Sequence, residues 1–188
     1  MESYRYETTA NWISARRGVV HDSSISPPVA FAAPPEFQGE AGIWTPEHML
    51  VAAVASCFIT TFRAIADISK FEAPALEVTV EGFVEKAERS SQRLREIPPI
   101  SQGEEGVARK QDHGYSLTRV FVRPRLTVAK EGDRERGLRL LEKAEQSCLV
   151  SRSLRSKSFS NLRLWFRDSL QVRRSLATGP EGNHAIHS

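Results

Sequence analysis

The stretch from Thr45 to about Lys70 constrains the fold more than any other part of the chain. Thr45 is a good N-cap, Pro46 suits the first helical position, and Glu47 favours the positive end of a helix dipole. The spacing predicts one long helix. Its first half is apolar nearly all round, which predicts burial on most sides, whereas Arg63 and Asp67 make the second half amphipathic. Inside it, ten residues after Glu47, stands Cys57. Cysteine is scarce here: Cys57 and Cys148 are the two in 188 residues. The question is whether they fill core space or meet.

The other elements follow from shorter patterns. Residues 3–20 mix aromatic and β-branched residues and predict a β-hairpin turning at Arg16-Arg17-Gly18. Residues 23–44 carry four prolines and two glycines and predict a loop. Residues 76–86 alternate as a half-buried strand. Residues 87–114 predict a long charged surface loop. Residues 115–129 resume the alternation, and Pro124 predicts an edge strand or a bulge there. A second helix is expected over 132–147, weakened by Gly137, with Cys148 at its C-terminal end on the apolar face. Residues 159–166 predict a last strand. The polar tail from 172 onward predicts disorder. This order predicts one α+β domain over 1–171 and a tail over 172–188.

Composition narrows the function classes. The net charge is only +3, which is weak support for nucleic-acid binding. The start of the chain does not resemble a signal peptide. The longest uninterrupted apolar stretch, Met49–Ala55, is far short of the ~18 residues of a spanning helix. No membrane or nucleic-acid partner is therefore expected, and the cytoplasm is the expected location. There a functional disulfide is more often transient and catalytic than structural. The histidines at 21, 48, 113, 184 and 187 show no paired spacing with the cysteines, so no metal site is expected.

Leu50, Ala53, Val54, Thr61 and Ala64 share the helix surface of Cys57. A free cysteine among them is either a small core hydrophobe or half of a redox pair with Cys148. Helix geometry limits the second possibility. Ten residues separate Glu47 from Cys57 by about 15 Å along the axis and by roughly 80° around it. A carboxylate cannot span that distance to its own chain's thiol. If Glu47 acts on Cys57, a second subunit must bring it there, across a two-fold interface.

The motif "TPEHMLVAAVASCF" resembles the signature of the superfamily of osmotically inducible protein C and the organic hydroperoxide resistance proteins. "PPEFQGEAGIWTPE" upstream is similar to that family's approach to its helix. "LEVTVEGFVEK" and "LTRVFVRPRLTV" resemble its paired strands, and "LLEKAEQSCLVSRSL" its second-cysteine helix. The resemblance implies an α+β fold with antiparallel sheets wrapped around two long central helices in an intertwined homodimer. It implies a thiol peroxidase with Cys57 as the attacking residue and Cys148 as the resolving one. Glu47 and an arginine, Arg16 with Arg17 as the fallback, would orient and activate the thiolate. Phe31, Phe37, Trp44, Met49 and Phe58 would line an apolar pocket for organic hydroperoxides. No bound cofactor or metal is implied; an external dithiol, lipoyl-type or a small thiol, would be the reductant.

These residue types suit that chemistry. The thiolate is the nucleophile, and burial alone would keep the sulfur protonated. A guanidinium offsets that cost, and a carboxylate holds its fork in place. Two departures stand out. Leu149 follows the second cysteine where many family members have proline, and the turn reads Arg16-Arg17-Gly18 rather than arginine-aspartate-glycine. The competing reading is a non-catalytic dimer that holds a hydrophobic ligand in the same interface.

Overall fold

The computed structural model describes residues 2–86, 114–154, 163–166 and 171–174. The chain opens with three antiparallel strands in the order β1-β2-β3: β1 Thr9–Ser14, β2 Arg17–Asp22 and β3 Ile25–Ala32. The expected hairpin forms, but its turn lies at Ala15-Arg16, where Ala15 takes the left-handed conformation at φ 45°. Gly18 is not in the turn. It sits buried in β2, where a Cβ would come within 2.6 Å of the Phe31 ring and 2.7 Å of the Asn11 carbonyl oxygen. The expected loop over 23–44 is corrected in its first part: β3 pairs with β2 despite Pro27 and Pro28. An edge strand tolerates proline because one row of its backbone groups needs no partner.

Helix α1, Pro46–Ile68, follows as expected. The Thr45 hydroxyl accepts the His48 N–H at 3.3 Å. At the far end Lys70 turns left-handed, its N–H donating to the Asp67 carbonyl at 3.1 Å and that of Phe71 to the Ala66 carbonyl at 2.8 Å. That pair of bonds is a Schellman stop, made here without glycine. Val54, Phe58, Phe62 and Ala66, four apart, form the one ridge of α1 that is fully buried. They pack on Val120, Val122, Leu126 and Val128, and on Leu140, Leu141 and Ala144. Burying Phe58 and Phe62 contributes about 1.5–3 kcal/mol each. The expectation of burial on most sides is not met within one chain: Met49, Ala52, Ala53 and Ile59 are half-buried and Ser56 is exposed. By length and composition α1 could cross a membrane, but its ridge packs into the core of a folded domain.

The second sheet is built on β4, Ala75–Lys86, and β5, Tyr115–Val128, which pair antiparallel with a bulge at Phe83/Val84. The even-numbered residues of β5 from Val120 to Val128 face the core, which they share with α1 and α2. The opposite face carries Glu77–Arg125 and Glu81–Arg123 ion pairs, exposed and worth little each. Helix α2, Arg134–Ser147, leads directly into a short helix α3, Leu149–Leu154. Gly137 does not loosen α2; it lets the helix approach β5, since a Cβ there would lie 2.8 Å from Leu126 Cδ2.

Two short strands complete the sheet. β6, Arg163–Phe166, and β7, Gln171–Arg174, both run parallel to β5, so the sheet is mixed rather than antiparallel throughout. β6 pairs with residues 119–122 and β7 with 125–128, which leaves Pro124 in the gap between them. β5 is thus a central strand, and the proline stands where neither parallel neighbour pairs. β7 also runs past the expected start of the tail at 172. Of the expected loop over 87–114, residues 87–113 lie outside the described residues, as does the tail from 175.

Candidate functional site

Cys57 and Cys148 lie 91 positions apart in the chain, yet packing of α1 against α2 and α3 brings their thiols close enough to shift each other's ionisation. Both are free thiols. Cys148 is the residue between α2 and α3, with φ −60° and ψ 112°. That break in the helix turns the first N–H groups of α3 towards Cys57. The Val150 N–H lies 3.5 Å from Cys57 Sγ, and the Thr61 hydroxyl, one turn along α1, lies at 4.0 Å.

These contacts split the two thiols. Burial acts to raise the Cys57 pKa, but it is outweighed by donors to the sulfur: the Val150 N–H, the Cys148 thiol, the Thr61 hydroxyl and the Leu149 N–H. Cys57 therefore ionises below the ordinary thiol range. Cys148 is fully buried, and burial pushes its thiol up, opposed by donors from Ser151 and reinforced by the neighbouring Cys57. The pair is thus arranged as one thiolate-prone sulfur and one protonated sulfur that donates to it.

The other expected site residues stand apart from this pair. Glu47 is half-buried at the start of α1, and its Oε2 is buried with no hydrogen-bond partner among the described residues. An unpartnered buried carboxylate oxygen is costly. Arg16 donates to the Phe37 carbonyl and, at 3.1 Å, to Gln38 Oε1. Arg17 pairs with Glu40 at 3.3 Å. Neither arginine contacts Cys57 or Glu47 among the described residues.

A cleft of about 760 Å³ opens between the start of α1 and the β4–β5 hairpin. Glu47, His48, Phe37, Phe83, Tyr115 and Leu117 help to line it, and Cys57 does not. Of the expected lining residues, Phe37 is present, with its ring 5.1 Å from that of Tyr115. Trp44 is largely exposed, its ring edge-on to His48. Phe31 packs over Gly18, and Met49 is half-buried on the outer face of α1. Phe58 is corrected: it is fully buried in the core, with no surface to offer a ligand. Among the described residues no cluster of three His, Cys, Asp or Glu could hold a metal.

Sequence reasoning missed α3 and what it supplies: the N–H groups of Leu149 and Val150, and Ser151. The available signal was a serine three places after a cysteine, which one turn of helix puts within reach of the sulfur.

Comparison with known proteins adds to this geometry. Residues 39–162 match the family model described as OsmC-like protein. The uncharacterised protein YmaD of Bacillus subtilis strain 168 is 25% identical over 157 residues, spanning 82% of this chain and 89% of that one. Two solved structures are similar in fold. An organic hydroperoxide resistance protein OsmC of Legionella pneumophila has a TM-score of 0.59 at 21% identity, covering 93% of this chain and 100% of that one. An organic hydroperoxide resistance protein of Elizabethkingia anophelis has a TM-score of 0.62 at 17% identity, covering 93% and 99%.

Proposed function

The chain belongs to the OsmC-like family, and from that premise we propose that it is a cysteine-based peroxidase that reduces organic hydroperoxides. One observation carries the reading: two free, neighbouring thiols, one held by the Val150 N–H and the other by the Ser151 hydroxyl, whose pKa values are pushed in opposite directions. Pairs of titratable groups driven apart by their environments mark acid and base roles. The Cys57 thiolate attacks one peroxide oxygen and the O–O bond breaks. The products are Cys57 sulfenic acid and, after one proton is taken up, the alcohol. Cys148 then condenses with the sulfenic acid to a disulfide, with loss of water, before over-oxidation. An external dithiol returns both sulfurs to thiols, so no bound cofactor is required.

The complete site in this reading is a dimer. The half-covered apolar half of α1, the exposed Trp12 and Ile13 of β1, and the Glu47 oxygen that has no partner among the described residues support a second copy. That copy would bring Glu47 to the neighbouring Cys57, and Arg16 or Arg17 to the developing charge. The cleft beside Glu47 favours a second reading, an apolar-ligand carrier of the same fold.

Stopped-flow oxidation separates the two readings. A peroxidase loses both free thiols rapidly with cumene hydroperoxide and more slowly with hydrogen peroxide. Cys57→Ser abolishes the fast phase, and Cys148→Ser stops at sulfenic acid. Slow, peroxide-insensitive thiol loss in the wild type would favour the carrier.

A further inference from the structure

Two serines on α3 behave differently. Ser153 is exposed and donates to the Leu149 carbonyl at 3.0 Å, four residues back, the common use of a helical serine. Ser151 is fully buried, and its hydroxyl donates instead to Cys148 Sγ at 3.2 Å. A buried hydroxyl needs a good acceptor, and a neutral thiol is a weak one. For stability alone an alanine would serve nearly as well. A thiolate is a much better acceptor, because hydrogen bonds to charged groups are the strong ones. The contact is therefore worth little in the resting thiol and much once charge develops on the sulfur. That difference between ground state and reacting state is what speeds a chemical step.

We infer that Ser151 controls the second step of the reaction, its hydroxyl stabilising the Cys148 thiolate that closes the disulfide. The inference rests on the peroxidase reading. In this step an electron pair on the Cys148 sulfur forms the S–S bond while the S–O bond of the Cys57 sulfenic acid breaks. The departing oxygen keeps its hydrogen, takes the proton that Cys148 has given up, and leaves as water. The Cys148 sulfur is oxidised from thiol to disulfide level, and the Cys57 sulfur is reduced from sulfenic to disulfide level. Ser151 keeps its own proton throughout. The surroundings of Cys148 leave this hydroxyl few rivals. Among the described residues the titratable group acting on Cys148 is Cys57 of α1, while α2 supplies the apolar Leu141 and Ala144 and Arg152 on α3 is exposed. The Ser151 backbone N–H also donates to the sulfur, and it survives side-chain replacement.

The test compares full-length wild type, Ser151→Ala and Ser151→Thr, each reduced and given one equivalent of cumene hydroperoxide. In Ser151→Ala the first phase keeps its rate and the disulfide phase slows about tenfold at neutral pH, the share of one hydrogen bond to a charged sulfur. Sulfenic acid trapped by a cyclic diketone increases, and the melting temperature holds. The threonine variant, which keeps the hydroxyl, keeps the fast second phase. Independently, thiolate absorbance in a Cys57→Ser background titrates Cys148 alone, and Ser151→Ala raises that midpoint by about one pH unit. An unmoved midpoint, or a second phase as fast as wild type, overturns the inference and leaves the peroxidase reading standing. A wild type that never forms sulfenic acid overturns both.

Discussion

Replacing Leu149 by proline tests how the fold lowers the Cys57 pKa. Leu149 is the first residue of α3, where proline's fixed φ is welcome, and Cys148 before it already has the extended backbone that a following proline requires. Its side chain is 68% exposed, so truncation forfeits about a third of a leucine's burial, roughly 0.5–1 kcal/mol. Proline returns about 0.4–1 kcal/mol by restricting the unfolded chain. The two nearly cancel, and the melting temperature should stay within about 2 °C of wild type. The Leu149 N–H is lost as a donor to Cys57. A hydrogen bond to a charged group is worth about 1.5–3 kcal/mol, or roughly one to two pH units. Leu149 is the weakest of the four donors, and water reaches half-buried Cys57, so the expected rise is below about one unit. The assay is the pH dependence of Cys57 alkylation, read by peptide mass, with Leu149→Ala as the control that keeps the N–H. A Leu149→Pro midpoint equal to or below that of Leu149→Ala would refute the reasoning. A loss of several kcal/mol would show that the helix start does not tolerate proline.

Three further outcomes are expected. The rate of peroxide attack should fall as pH drops through the Cys57 pKa, which its donors hold below that of an ordinary thiol, whereas Cys148 alkylation should need more alkaline solution than Cys57. Phe62→Ala should destabilise by about 3–5 kcal/mol, lowering the melting temperature by roughly 10 °C, since the ring is fully buried on the α1 ridge. A loss under about 1 kcal/mol would contradict that placement. Ala52 lies opposite Val54 on α1, on the half-covered face. Ala52→Glu should convert a dimer to a monomer in light scattering, and a wild type that is already monomeric would remove the trans-acting role of Glu47.

Much of the scaffold is legible in local pattern. Thr45-Pro46-Glu47 predicts the start of α1, the alternation of Leu76, Val78 and Val80 predicts β4, and the helical spacing of Leu138, Leu141 and Ala144 predicts α2. The misses have physical causes. Pro27 and Pro28 read as loop because local chemistry cannot tell an edge strand from a free segment. Pro124 read as an edge or a bulge because two separate parallel neighbours, which spare it a partner, cannot be anticipated from its own sequence. Phe58 read as pocket lining because spacing shows that a helix has an apolar face without showing what covers it.

The amino-acid order by itself determined α1, α2, β4 and β5, the place of Cys57 on one helix and of Cys148 at the end of the other, and the impossibility of Glu47 serving its own chain's Cys57. Those follow from short-range sterics, capping and helical rise. Only the tertiary structure decided that the two thiols become neighbours, that α3 aims Val150 N–H at Cys57 from 93 positions away, and that Ser151 faces Cys148 rather than a carbonyl. Contacts at that separation are set by how helices pack on the sheet, and the energy that selects them is spread over the whole core rather than written in any one segment.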